Sequence, residues 1–147
     1  MQKTLATSAD AEIILKLYEL RTETTMREAR AWFMSEFWPE AADEFFEVLN
    51  DFGSQKNCWL RQVVSYWEMA AAIVLHGSLS ADLFLDCNGE LFFIMAKLSH
   101  ILPEIHAQRP SYLSKTIRLV ESYPAAALMY EGMRKNVENM RSARNAR

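Results

Sequence analysis

Glycine and proline are scarce, with four of each in 147 residues. A fold made of many tight β-turns would use more of both, so the scarcity argues against an all-β chain. The two cysteines, Cys58 and Cys87, form neither a CxxC pair nor a metal-type spacing. Isolated cysteines of this kind are expected to be small buried hydrophobes in a cytoplasmic protein. Apolar runs such as Met69–Leu75 fall far short of the roughly 20 residues a membrane helix needs. No N-terminal basic region joins an apolar run, so neither a signal peptide nor a membrane association is expected. Gly-rich phosphate loops, HExxH, GxSxG and Glu-x-x-His are all missing. Their absence removes the motif-borne nucleotide, zinc, serine-hydrolase and helical di-metal chemistries. No catalytic residue, metal ligand or cofactor is assigned, and the balance leans away from an enzyme.

What the chain does contain is helix-forming. Hydrophobic residues make up 50% and charged residues 24%, which is ordinary for a folded soluble domain and excludes wholesale disorder. Ala, Leu, Met, Glu and Arg dominate, and these are the strong helix formers. The expected architecture is all-α: an antiparallel bundle of six or seven helices in one domain over residues 1–147, frayed at 1–7 and 141–147. Net charge is −3 with a pI near 5.6, so the whole molecule is no electrostatic match for nucleic acid.

The organising stretch is Asn57–Gly77. Leu60, Val64, Trp67, Ala71 and Val74 recur at helical spacing, and so do Trp59, Val63, Tyr66, Ala70 and Ile73. Two apolar stripes predict a central helix over 57–76 covered on most of its circumference, with Arg61, Ser65, Glu68 and His76 as a narrow polar seam. Gly77 supplies the stop.

Around it, Ser8 or Asp10 caps a helix from Ala9, and residues 9–37 form one helix or two broken near Thr24–Thr25. Pro39 opens the first turn of a helix over Glu40–Phe52 with Phe45, Val48, Leu49 and Phe52 inward. Ser80 caps Ala81–Cys87, Asn88–Gly89 breaks the chain, and Glu90–Leu102 is helical along Leu91, Ile94, Met95, Leu98 and Leu102. Ser111 caps a helix to about Ser122, and Pro124 begins a terminal helix to about Met140, capped by Ser122.

Three groups of side chains are candidates for function. Glu68 lies on a helix that should be mostly covered, where a lone carboxylate costs several kcal/mol. It is either a pocket acid or base with Trp67, Trp59 and Arg61 around it, or an ion-pair partner of Arg61 or Arg30. His100 and Glu104, with His106 nearby, lack further ligands and read as a solvated helix end; His76 suits the helix C-terminal dipole. Aromatics crowd residues 32–67, and adjacent pairs such as Phe45–Phe46 and Phe37–Trp38 cannot both face inward, so some should reach an interface.

Charge is also segregated. Glu36–Asp51 holds six acidic and no basic residues, whereas Arg134–Arg147 holds five basic residues against Glu138. The acidic and basic helices are expected either as solvated faces or as complementary surfaces, within one chain or across a two-fold dimer; Phe46, Trp38, Glu44, Arg134 and Arg141 are the interface candidates.

The order Trp67–Glu68, His76–Gly77, Leu83–Phe84 and Leu102–Pro103 resembles a family of small bacterial and phage helical proteins with no assigned activity, over residues 25 to 105. The resemblance implies an all-α fold and carries over no catalytic residue. The first expectation is therefore a homodimeric helical interaction module. The alternatives are a ligand-binding or enzymatic bundle with a pocket at Glu68, and a nucleic-acid regulator using Arg134–Arg147.

Overall fold

The computed structural model describes residues 5–147, so expectations for residues 1–4 lie outside the described residues. It is an all-helical bundle, with no strand among the described residues. Helix α1 spans Ser8–Arg21, α2 Thr24–Ser35, α3 Ala42–Leu49, α4 Gln55–Leu75 and α5 Ala81–Cys87. Then follow α6 Glu90–Leu98, a 3-10 turn at Ser99–Ile101, α7 Leu102–Gln108, α8 Ser114–Ser122 and α9 Pro124–Asn145.

The extra helices beyond six or seven come from short breaks with local causes. Thr7, rather than Ser8 or Asp10, caps α1, because Asp10 three residues on returns a bond of 2.7 Å to the Thr7 N–H and closes a capping box. Residues 9–37 are two helices: the Glu23 carboxylate accepts from the Met26 N–H and starts α2 afresh. Helix α3 is shorter than Glu40–Phe52 at both ends, and Phe52 is 74% exposed rather than inward. Past Leu98 the chain tightens into the 3-10 turn, and Pro103 sits in the first turn of α7. Neither Ser111 nor Ser122 provides a side-chain cap for α8 or α9, and α9 continues to Asn145, past Met140.

Ser54 starts α4 two residues earlier than expected by accepting from the Asn57 N–H, and Gly77 adopts φ +81° after its end. Helix α4 packs chiefly on α2 and α8, while α9 packs on α6 and α8. Its near-complete enclosure is a prediction that needs correction. Asn57, Leu60, Val63, Val64, Trp67, Ala70, Ala71 and Val74 are buried, but Cys58, Arg61, Ser65 and Met69 form an exposed flank. The second stripe is only partly covered, because Trp59, Tyr66 and Ile73 lie half-buried at its edges. The helix enclosed on every side is α6, where Leu91 through Leu98 are all buried. Both cysteines are exposed and free, so neither is the buried hydrophobe expected.

Asn57 fastens α3 to α4. Its Nδ2 donates to the Val48 and Leu49 carbonyls at 3.0 and 2.8 Å, the last two of α3, of which Val48 also accepts from the Asp51 N–H. Asn57→Ala should therefore lower stability by about 2 kcal/mol in urea titrations. Asn57→Asp, which cannot donate, should lower it further; an aspartate as benign as the alanine would contradict this role.

Candidate functional site

The four residues proposed to line a pocket do not share one. Trp67 is buried, and its Nε1 donates to Glu90 at 2.9 Å. Glu90 is in turn held by two bonds from Arg30, at 2.8 and 2.9 Å, so Arg30 partners Glu90 and not Glu68. Glu68 points toward α8, where its carboxylate accepts from the Lys115 and Thr116 N–H groups at 3.2 and 2.8 Å and from the Thr116 hydroxyl at 2.8 Å. A carboxylate at a helix start meets unpaired N–H groups and the positive dipole end, so Glu68 is a helix cap supplied from another element. Trp59 packs against Trp32, with ring centroids 5.9 Å apart. Arg61 lies apart from these, beside Leu20, Met26, Tyr66 and Met69 in an open cleft of about 730 Å³ on the exposed flank of α4.

Two of the three histidines bind backbone carbonyls. The His100 Nε2 faces the Pro39 and Glu40 carbonyls at 3.0 and 3.1 Å, so it carries the proton and donates. Burial first, and then the Arg141 charge, hold its pKa below the ordinary value. It clamps the loop while remaining exposed in the turn that follows α6, as the solvated reading has it. The His106 Nε2 likewise donates to the Tyr112 carbonyl at 2.9 Å. His76 is exposed just past α4, beside the last-turn carbonyls. Among the described residues no group of three or more His, Cys, Asp and Glu is arranged to hold a metal ion.

The concentration of unusual chemistry is at Trp38, in the loop between α2 and α3. His100, from the 3-10 turn, and Arg141, from α9, both fix that loop. Arg141 donates to the Pro39 carbonyl at 3.3 Å and to the Lys97 carbonyl, near the end of α6, at 2.9 Å. Beneath the indole lies Lys97, fully buried, donating to the Phe33 carbonyl. Its Nζ is 3.9 Å from the Trp38 ring centroid and 4.8 and 5.5 Å from those of Phe33 and Phe93. These ring faces replace part of the lost hydration. No carboxylate does, and burial, followed by the Arg144 and Arg141 charges, pushes the Lys97 pKa down to about 7. Arg144 also lies over Trp38, 4.9 Å from its centroid. The Trp38 Nε1 is buried without an acceptor.

Trp38 separates two surfaces of opposite sign. On one side a groove of about 580 Å³ is lined by Glu36, Glu44, Glu47 and Asp51, with Lys56 its one cation. On the other, a recess of about 270 Å³ is lined by Arg141, Arg144, Arg147 and Asn145, with Glu40 its one carboxylate. Of the interface candidates, Trp38 borders both, Glu44 lines the groove and Arg141 the recess. Phe46 lies against Phe45, edge-on at 5.4 Å. Arg134 is engaged within α9 by Glu131 and Glu138 at 2.9 and 3.2 Å. The acidic α3 does not receive α9, which lies on α6 and α8, so the two charged elements are not principal partners within the chain.

Sequence reasoning missed Lys97, although the signal was present: a lysine inside the run Leu91–Leu98, which is apolar at every other position. No helix among the described residues is long and apolar enough to cross a membrane. A family described as "Domain of unknown function (DUF4760)" matches residues 6–123, a longer span than the 25 to 105 of the resemblance. No curated protein and no solved structure matches the chain.

Proposed function

The chain belongs to the DUF4760 family, a domain of unknown function, and we propose that it serves as a non-enzymatic helical interaction module that pairs with a second copy of itself. The observation that carries this reading is the adjacency of the acidic groove and the basic recess across Trp38. A two-fold axis near that indole would lay the groove of each copy on the α9 end of the other, satisfying both patches at once. Complementary potentials of this kind choose a partner and speed encounter. The half-buried Trp38 supplies the aromatic centre that such interfaces favour. Single-domain character and a cytoplasmic setting belong to the same proposal, and the free thiols of Cys58 and Cys87 support a reducing compartment.

Sedimentation at micromolar concentration tests it. The expected result is a dimer that weakens as salt is raised. Arg144→Glu or Glu47→Lys alone should weaken pairing by about tenfold or more, and the two reversals mixed or combined should recover part of the loss. A monomer at every concentration and salt, or a dimer indifferent to both reversals, rules the interface out.

A further inference from the structure

We propose that the recess at the C-terminal end of α9 is a binding site for a small oxyanion, a solute bearing a sulfate-like or phosphate group. Arg144 and Arg141 would hold it beside Trp38, with the buried ammonium of Lys97 behind the indole. The inference does not rest on self-pairing, although a partner's carboxylates would compete for the same groups.

Positive charge at the recess exceeds the negative charge that faces it. The neighbouring elements contribute cations and neutral groups, with Glu40 of the α2–α3 loop as the exception. Helix α9 presents Arg141 and Arg144 to the recess, and Arg147, beyond the end of the helix, lines it too. Helix α6 presents Lys97, and α2 gives it only the Phe33 carbonyl and ring. The 3-10 turn contributes His100, which stands against the loop carbonyls with its pKa held low. Glu40 is the one carboxylate of the recess, and Glu138 on α9 is occupied by Arg134.

Arginines near the end of α9 are accounted for by the helix dipole. Lys97 is not, since it belongs to another helix and is buried without a counter-ion. The cations disfavour one another: the charge of Arg141 is opposed by burial first, supported in part by Glu40 and opposed again by Arg144, as that of Lys97 is opposed by burial and then both arginines. An anion entering the recess would relieve that repulsion, and guanidinium groups match oxyanions in geometry. Among the described residues the side chains of Arg144 and Arg147 donate no hydrogen bond that would have to be broken, although Arg144 lies over the Trp38 ring. At about 270 Å³ the recess fits a phosphate-sized group rather than a bulky ligand.

Sulfate is the probe, because it does not titrate near neutrality. Calorimetric titration at pH 7.2 in two buffers of different ionisation enthalpy reads affinity and proton uptake together. The expected result is sulfate binding accompanied by uptake of part of a proton, as the anion restores the charge on Lys97. Arg144→Gln should weaken binding about tenfold or more, and Lys97→Met should bind without uptake. Glu47→Lys, which alters the groove but not the recess, should bind sulfate normally, so failure of pairing and failure of this site are distinguishable. Sulfate heats equal in wild type and Arg144→Gln would mean an adventitious ion only and overturn the proposal. Arg144-dependent binding without proton uptake would overturn the part assigned to Lys97. A glycerol phosphate arm should compete with sulfate; an oligonucleotide that binds far more tightly, with steep salt dependence, would overturn the small-ion site in favour of a polymer.

Discussion

Raising the pH from 7 to 9 should stabilise the folded chain, and Lys97 is the reason. Its pKa is about 7 in the fold against an ordinary 10.5. Between those values the unfolded chain holds a proton that the folded chain has released. Stability therefore rises with pH in that window, by roughly 1–2 kcal/mol per unit. Below pH 7 both states are protonated and the full penalty of the buried ammonium remains.

The window closes near pH 10. Tyr66, held up to about 12 by burial, and Tyr112, also raised by burial, then favour the unfolded state, where phenols ionise at their ordinary 10.0. Lys97→Met keeps an unbranched apolar side chain beneath Trp38 and has nothing to titrate. It should raise stability at pH 6 by about 2 kcal/mol or more, and it should flatten the slope. Urea midpoints measured from pH 6 to 9.5 read both effects. A flat wild-type profile, or a methionine variant with the wild-type slope, would show that Lys97 does not titrate in this range.

The second large effect is expected at Glu90. Its carboxylate accepts from the Arg30 Nε and Nη2 and from the Trp67 Nε1, joining α2, α4 and α6. Replacing it by alanine strands a guanidinium and an indole N–H together, both largely removed from water. The side chains of Arg30 and Glu90 are 25% and 11% exposed, which moderates the loss to about 3 kcal/mol. Replacing both, as Arg30→Leu with Glu90→Leu, should cost much less than the sum of the single changes, since no charge is then left behind. Thermal and urea denaturation of the cycle decide the matter. A Glu90→Ala protein within about 0.5 kcal/mol of wild type would show that the network adds little.

Local chemistry was legible in the sequence, and distant partnership was not. Ser80, Gly77 and Pro124 mark helix ends because their preferences act within a turn or two of the chain. Thr7, rather than the expected Ser8 or Asp10, caps α1 through a reciprocal bond between neighbours, which the pattern Thr-x-x-Asp already contained. Lys97 was hidden by stripe counting: a periodic reading follows every third or fourth residue, and α6 is buried at the positions between as well.

Glu68 shows a different limit. Its charge pointed to a need for partners, but those partners are two backbone N–H groups and the Thr116 hydroxyl, 47 and 48 residues away, and neither backbone nor a lone threonine carries a signature at that distance. Charge segregation between Glu36–Asp51 and Arg134–Arg147 was plain in the chain. That the two patches flank Trp38 while α9 lies on other helices depends on how α9 packs, and composition does not encode that.

The bond from Glu68 to the start of α8 also bears on how the molecule could be divided. The first turn of α8 is secured by a residue on α4, so a C-terminal piece carrying α8 and α9 alone would begin with bare amides and an unsupported edge. Those two helices are thus a dependency of the long middle helix, and a cut between them and it would separate a lock from its key.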